Sequence, residues 1–485
     1  MSKTNKFYIT TTLPYTNSDP HIGFAAELIK ADVIARYQRL RGKEVIFNTG
    51  TDEHGLKIYQ QAEDAGLSPR AYCDPFAARF ASLKNALNLS FTNFIRTSDE
   101  HHEKAAQEFW RRCESNGDIY KKTYSVKYCV GCELEKTDSE LVDGRCPLHP
   151  NRDLEIIDEE NYFFRFSKYQ QVLLDHYEAH PDFVVPSHRF TEIKNFVSGG
   201  LQDFSISRLK SKMPNGISIP GDDEQVMYVW FDALVNYIST LGWPEDQDNF
   251  DNYWPALQVC GKDNLRQQSA MWQAMLLSAK LPLSKQVLIF GFLTVNGQKI
   301  SKSLGNGIDP YELTNKYSGE ALRYYLLTEI LPFEDGDFSE EHLRTKYNAD
   351  LANGLGNLVA RISTLLEKNS IATNLVADKT EALRRLSEES GLNKYQFHRS
   401  LQYIWQEIAA CNEELTAKAP WKLTEVSEIE AILKPLAVRI LNIALMLQVF
   451  LPLTAEKIIK QFTQKQINKA ESLFPRLMAE KIETK

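Results

Sequence analysis

"KFYITTTLPYTNSDPHIGFAAELIKADVIARYQRLRGKEVIFNTGTDE", residues 6–53, reads as strand, helix and strand in close succession. KFYITTTLP is rich in β-branched and aromatic residues, the composition of a buried strand. From Ile22 the apolar positions Ile22, Ala25, Ala26, Ile29, Val33, Ile34 and Tyr37 recur at helical spacing, and Gly42 ends the pattern. KEVIFNTGTDE (43–53) is a second strand running into a glycine-bearing turn. Such a βαβ unit implies a parallel sheet whose ligands sit beyond the carboxyl ends of its strands. Asp19-Pro20-His21-Ile22-Gly23-Phe24 falls at the strand-to-helix junction, where unpaired N–H groups and the helix dipole attract phosphate. Gly23 would let a nucleotide lie against the backbone, and His21 would donate to a phosphate oxygen. Taken singly, a histidine there is more often a capping or surface residue.

The remaining pattern assigns the domains. A chain of 485 residues with 43% apolar and 25% charged residues is a soluble globular protein of several domains. Residues 1–115 form the first half of a Rossmann-type domain. Residues 116–190 are a turn-rich, cysteine-bearing insert. Residues 191–349 resume the α/β pattern, with ALQVCGKD and QVLIFGFLTV strand-like, and residues 350–485 are all-helical. YQFHRSLQYIWQEIAACNEELTAKAPWKL reads there as one amphipathic element, and ILNIALMLQVFLPL (440–453) as a buried helix too short for a membrane span. The fold class is thus α/β with a metal-binding insert, followed by a helical bundle. MSKTNKFYITTTLP has no signal-peptide core, so the expected location is cytoplasmic. A net charge of −8 makes no global case for nucleic acid and leaves room for one local basic face.

Cys129-x-x-Cys132 and Cys146-x-x-His149, thirteen residues apart, have the spacing of a tetrahedral structural zinc site; the other four cysteines fall outside it. Lys299-Ile300-Ser301-Lys302-Ser303 lies between Gly297 and Gly305. Two lysines and two hydroxyls on a hinged loop suit a triphosphate whose charge shifts as pyrophosphate leaves.

HIGF at the head of the chain, an insert, then KISKS: in that order the sequence resembles the class I aminoacyl-tRNA synthetases, specifically the methionyl-tRNA synthetase family, with HIGH and KMSKS signatures. TLPY (12–15), GTDEHG (50–55), NYFF (161–164), SISR (205–208), YVWFDALVNYI (228–238), GKD (261–263) and APWKL (419–423) carry the likeness over nearly the whole length. The resemblance implies an amino-acid pocket of Leu13, Tyr15, Trp230, Ala233, Leu234, Tyr237, Asn264 and Gln268, with Asp52 accepting from the substrate ammonium. It places Gly23, Phe24, Glu27, Gly261, Asp263, Leu293 and Ser301 around ATP and Mg²⁺, and gives His21, Lys299 and Lys302 the transition-state charge. Asn357, Arg361 and Trp421 would read an anticodon, and the zinc knuckle would sit beside the tRNA acceptor end. The sequence stops after the helical region, so a monomer without an appended dimerising module is expected.

Five positions depart from the family. Phe24 replaces the second signature histidine. Phe290 precedes Gly291 where histidine is usual. Asn264 and Gln268 follow GKD in place of isoleucine and histidine. Asn215 stands where tryptophan is usual. Three readings follow. In the first, the protein activates methionine or an analogue as its adenylate and transfers it to the 3′ end of tRNA. In the second, a paralogue adenylates a more polar amino acid and passes it to a small-molecule acceptor such as an N-hydroxylated amine. In the third, a pseudoenzyme binds tRNA or a protein partner.

Overall fold

The computed structural model describes residues 5–132, 134–136, 140–300 and 306–477. The chain forms two compact units: Met1–Pro20, Glu44–Ser82 and Phe91–Phe290 make the first, and His21–Lys43, Leu83–Ser90 and Gly291–Lys485 the second.

The first unit is built on β1 (Lys6–Thr10), β2 (Glu44–Thr51), β3 (Asn93–Arg96), β4 (Val184–Val185), β5 (Leu257–Gly261) and β6 (Gln286–Phe290). Among the described residues these form one sheet in the order β3-β2-β1-β5-β6-β4, every pairing parallel. Lys6 pairs with Glu44 and Ile9 with Leu257, so β1 lies between β2 and β5. The chain winds outward from β1 to β3 and returns on the other side of β1. The crevice between the carboxyl ends of β1 and β5 is therefore the topological switch point, the place where such sheets bind ligands. Gly50 is required where β2 meets β3, since a Cβ there would come within 1.8 Å of the Ile95 carbonyl oxygen. The core is aromatic: Phe109 stacks on Trp272 at 5.5 Å and meets Phe231 and Trp243 edge-on. Burial of such rings supplies about 25 cal/mol per Å² of apolar surface removed from water.

The cysteine-bearing segment forms a separate antiparallel sheet, in the order Leu134–Lys136, Ile119–Cys129, Glu155–Phe164, Phe204–Ser205. Its last strand comes from residues beyond the insert proper.

In the second unit α1 (Ile22–Leu40) buries all seven apolar positions that the periodicity selects. It buries Lys30 and Asp32 as well, which the pattern does not announce. Asp32 faces Arg323 of α2 (Gly319–Thr328) at 2.8 Å and Arg36 at 2.7 Å, and accepts from the Ser90 N–H at 2.7 Å. Arg323 also donates to the carbonyls of Phe450 and Leu87. The C-terminal helices are α3 (Asn357–Lys368), α4 (Phe397–Lys418), α5 (Val426–Leu447) and α6 (Pro452–Phe462). Two sequence expectations need correction. The amphipathic element stops at Lys418, because Ala419 takes a left-handed conformation (φ 40°) and Pro420 follows it. The 440–453 run is not one helix: α5 ends at Leu447 and Pro452 starts α6, whose Leu453 and Thr454 N–H groups are capped by the Glu320 carboxylate. No helix of the described residues is long and apolar enough to cross a membrane.

Burial alone would raise the Asp32 carboxyl, but the Arg323 and Arg36 guanidiniums hold it below the usual carboxylate range. A depressed folded value means stability that is present above about pH 4 and lost as the pH falls through that lower value. Asp32→Asn leaves Arg323 buried without its counter-charge and should cost about 3–5 kcal/mol in urea unfolding at pH 7. The same titration repeated from pH 5 to pH 2 should show a shallower acid dependence in the variant than in the wild type.

Candidate functional site

At the switch point of the first unit a small cavity of about 40 Å³ is lined by Thr12, Leu13, Tyr15, Asp52, Trp230, Ala233, Leu234, Asn236, Tyr237, Asn264 and Gln268. Strand pairing explains why residues so distant in sequence meet. The β1–β2 ladder continues past its last strand residues: the Asp52 N–H donates to the Pro14 carbonyl at 2.9 Å, and the Thr16 N–H donates to the Asp52 carbonyl at 3.2 Å. Tyr15 and Asp52 thereby become bridge partners at the carboxyl end of the sheet. The helix Val229–Ala233 and the residues after it bring Trp230, Ala233, Leu234 and Tyr237. β5 runs into Gly261, and beyond it the chain supplies Asn264 and Gln268. A π-helical turn, Gln267–Met271, inserts an extra residue where the chain leaves the cavity, a distortion that re-aims side chains.

Asp52 is the one carboxylate among the lining residues, in walls otherwise neutral and largely apolar. That arrangement suits a substrate carrying one ammonium and an uncharged side chain. The Gln268 amide donates to the Tyr237 hydroxyl, while its own Oε1 is buried without a partner among the described residues. Tyr237 is fixed from behind by the Tyr8 hydroxyl, which donates to its carbonyl at 2.8 Å. Behind Trp230, buried Asp232 stands 3.2 Å from His54. Burial alone would lower the His54 imidazole, and the Asp232 carboxylate pushes it back above its ordinary value. His102, also buried, is pulled down to about 3 and stays neutral, bonded to Ser239 at 2.9 Å.

The departures from the family pattern acquire partners. The Asn215 amide donates to the Glu53 carbonyl at 2.9 Å and its own carbonyl accepts from the Gly55 N–H, so this asparagine clamps the turn after Asp52. Phe290 is a core residue at the end of β6. Sequence reasoning missed Thr12 and Asn236 as lining residues, and the clamp made by Asn215. Asn236 carries no motif; its amide donates to the Ala233 carbonyl and accepts from Asn48, which only the folded chain brings near.

In the second unit His21 is the N-cap of α1, its Nδ1 accepting from the Gly23 N–H at 3.1 Å. An imidazole that accepts at Nδ1 carries its proton on Nε2, so the capping and donor roles use different nitrogens. The Ile22 N–H donates to the Ile308 carbonyl at 3.0 Å, tying the signature to the far side of the KISKS segment. Phe24 and Glu27 are half-buried on the first turns of α1. Leu293 is buried in a strand, Leu293–Val295, that pairs with Gln298–Lys299. Ser301 and Lys302, and the side chain of Lys299, lie outside the described residues. Of the first unit's expected nucleotide residues, Gly261 ends β5 and Asp263 is exposed two residues on.

Cys129, Cys132, Cys146 and His149 converge, their ligand atoms all within 4.8 Å of one another. His149 Nδ1 lies 3.7 Å from the Cys129 sulfur and 3.2 Å from that of Cys132, and the Cys132 and Cys146 sulfurs are 3.4 Å apart. A tetrahedral ion with Zn–S near 2.3 Å and Zn–N near 2.0 Å needs ligand separations of about 3.5–3.8 Å, so three thiolates and one imidazole fit it. Gly131 is obligatory, because a Cβ there would strike the His149 ring at 2.6 Å. The remaining cysteines are buried, and burial pushes Cys73 and Cys411 up to about 11 and Cys113 to about 12. Farther along, Arg361 on α3 stacks over Trp421 at 5.2 Å, with Trp421 46% exposed and Asn357 exposed one turn before Arg361.

The sequence matches the family model "tRNA synthetases class I (M)" over residues 7–155 and 151–363. It is 44% identical to the methionine–tRNA ligase of Thermosynechococcus vestitus, across 92% of this chain and 87% of that protein. To the methionine–tRNA ligase of Thermotoga maritima it is 42% identical, across 94% and 75%. The structure superimposes on that of Mycobacterium tuberculosis methionyl-tRNA synthetase in complex with methionyl-adenylate with a TM-score of 0.90 at 36% identity, covering 97% of this chain and all of that one.

Elemental analysis of purified protein should find about one tightly held divalent metal ion per chain. Cys146→Ser should cut that by more than half, and Cys411→Ser should leave it unchanged. Loss of metal from both variants alike would remove the assignment.

Proposed function

The chain belongs to the family of class I tRNA synthetases (M), and we propose that it is an ATP-dependent ligase which activates methionine as methionyl-adenylate and transfers it to the 3′ end of tRNA. The cavity around Asp52 is the observation that carries this reading: one carboxylate for the α-ammonium, beside the apolar surfaces of Leu13, Trp230, Ala233 and Leu234 that suit a flexible, polarisable thioether. Asp52 and Tyr15 orient the amino acid so that its carboxylate oxygen attacks the α-phosphorus of ATP. The bond from the α-phosphorus to the bridging oxygen breaks, and pyrophosphate leaves; Mg²⁺, when bound with ATP, would neutralise charge on the phosphates. His21, through Nε2–H, the N–H groups at the start of α1, and the KISKS lysines Lys299 and Lys302 stabilise the charge that develops on the phosphates. No side-chain nucleophile is used. Gly23, Phe24, Glu27, Gly261, Asp263, Leu293 and Ser301 hold the nucleotide.

Zn²⁺ fits the Cys129/Cys132/Cys146/His149 set. With four protein ligands it keeps no open position, and it serves to hold the knuckle's two turns together. Arg361, Trp421 and Asn357 offer a cation, a half-exposed ring and an amide to splayed anticodon bases. Thiols without a disulfide among the described residues support a reducing, cytoplasmic setting.

The partnerless Gln268 Oε1 favours one second reading, an amino acid whose side chain carries its own hydrogen-bond donor. ATP–pyrophosphate exchange with methionine, glutamine and serine separates the two. Exchange with methionine at least tenfold above the others supports the first, a polar amino acid in front supports the second, and none at all points to a pseudoenzyme. Lys302→Ala should slow methionine-dependent exchange by about 10²–10³-fold without altering the unfolding curve, the scale of removing one preorganised transition-state donor. A near-normal rate would refute the role of Lys302.

A further inference from the structure

Asp52 and Glu53 are consecutive residues beyond the end of β2, and in extended chain their side chains point to opposite sides. Asp52 lines the cavity. Glu53, almost fully buried, turns the other way, where its carboxylate accepts from Arg96 Nε at 2.6 Å and Nη2 at 2.9 Å, from Ser98 Oγ at 2.5 Å and from Thr51 Oγ1 at 2.8 Å. Arg96 is held on its other side by Asp74 at 2.7 Å. Glu53 is thus an anchored point, and its backbone N–H donates at 2.9 Å to the hydroxyl oxygen of Thr97, a fully buried residue just past β3. The Thr97 N–H is spent on the Thr51 carbonyl at 3.1 Å. With one hydroxyl lone pair taken by Glu53, the Thr97 proton goes to Asp52 Oδ1 at 3.3 Å.

We propose that Thr97 is a positioning residue for amino-acid recognition: its hydroxyl, oriented by the Glu53 amide, sets the rotamer of the Asp52 carboxylate that receives the substrate ammonium. Thr97 does not touch substrate. It transmits the rigidity of the Glu53–Arg96–Asp74 network to the one carboxylate of the cavity. A carboxylate that must find its rotamer after substrate arrives loses part of the binding energy to ordering. The proposal rests on the reading that Asp52 binds the α-ammonium.

Thr97→Val removes the hydroxyl at nearly constant volume, and Thr97→Ser keeps it. Binding of methionine and of its des-amino analogue, 4-(methylthio)butanoate, is read by intrinsic fluorescence, with ATP–pyrophosphate exchange alongside. Thr97→Val should weaken methionine about tenfold, the scale of one hydrogen bond to a charged group. It should leave the des-amino analogue and the KM for ATP within about twofold, since a group that acts through the ammonium partner has nothing to lose without an ammonium. Thr97→Ser should restore wild-type methionine binding. Equal weakening of both ligands, unchanged methionine binding, or no rescue by serine would overturn the proposal. Thr97→Ala substitutes if the valine variant does not fold. Asp52→Asn keeps the two readings apart. If it leaves methionine binding intact, the role of Asp52 is wrong; if it weakens binding while Thr97→Val does not, only the role of Thr97 falls.

Discussion

The pairing of β1 with β2 runs on past the ends of both strands, and the cavity around Asp52 exists because it does. Parallel strands accept each other's N–H groups at even spacing, and the pairing that sets Lys6 against Glu44 and Thr10 against Asn48 continues, after a one-residue shift, to Tyr15 and Asp52 with the chains still bonded. Two residues separated by α1 are thereby held side by side at the carboxyl end of the sheet. The return of the chain to the other side of β1 adds Asn264 and Gln268 from beyond β5. Asp52 carries charge into this site, and Glu53 beside it carries the anchoring, through a bidentate, half-buried arginine.

The positions where the sequence leaves the family pattern do different physical jobs. Asn215 replaces a large apolar side chain with an amide that clamps the turn after Asp52, a gain in backbone restraint. Phe290 fills core at the end of β6. Gln268 is another matter. It satisfies Tyr237 yet keeps a buried carbonyl oxygen without a partner, and an unmet buried acceptor costs about 1–3 kcal/mol until something donates to it.

The second unit relies on charge buried between helices. Asp32 on α1 meets Arg323 on α2, and Arg323 reaches on to the Phe450 carbonyl in the turn between α5 and α6, so three segments converge on one ion pair. Replacing such a pair by apolar residues can be neutral, whereas removing one member strands the other. The geometry therefore specifies which helices meet more than it adds stability. The signature His21-Ile22-Gly23-Phe24 sits at the start of the helix that this pair locates.

What the sequence by itself determined is whatever depends on spacing along the chain. Helical period selected the buried apolar face of α1, since residues three and four apart share a side wherever the helix packs. The Cys-x-x-Cys and Cys-x-x-His knuckles told their own story, because each closes within a single turn. Motif resemblance named eight residues that the structure brings together in one cavity around Asp52. Other features were legible only after folding. The burial of Asp32 depends on Arg323, far along the chain. Asn215 and Asn236 act through backbone groups of distant residues. The break at Ala419 and the split at residues 448–451 lie inside runs whose hydrophobic pattern does not pause. Periodicity reports which face of an element is apolar and is blind to which polar group stands opposite. For Thr97, as for Gln268, the tertiary structure decided the role, because a hydrogen bond's worth lies in the partner and its distance.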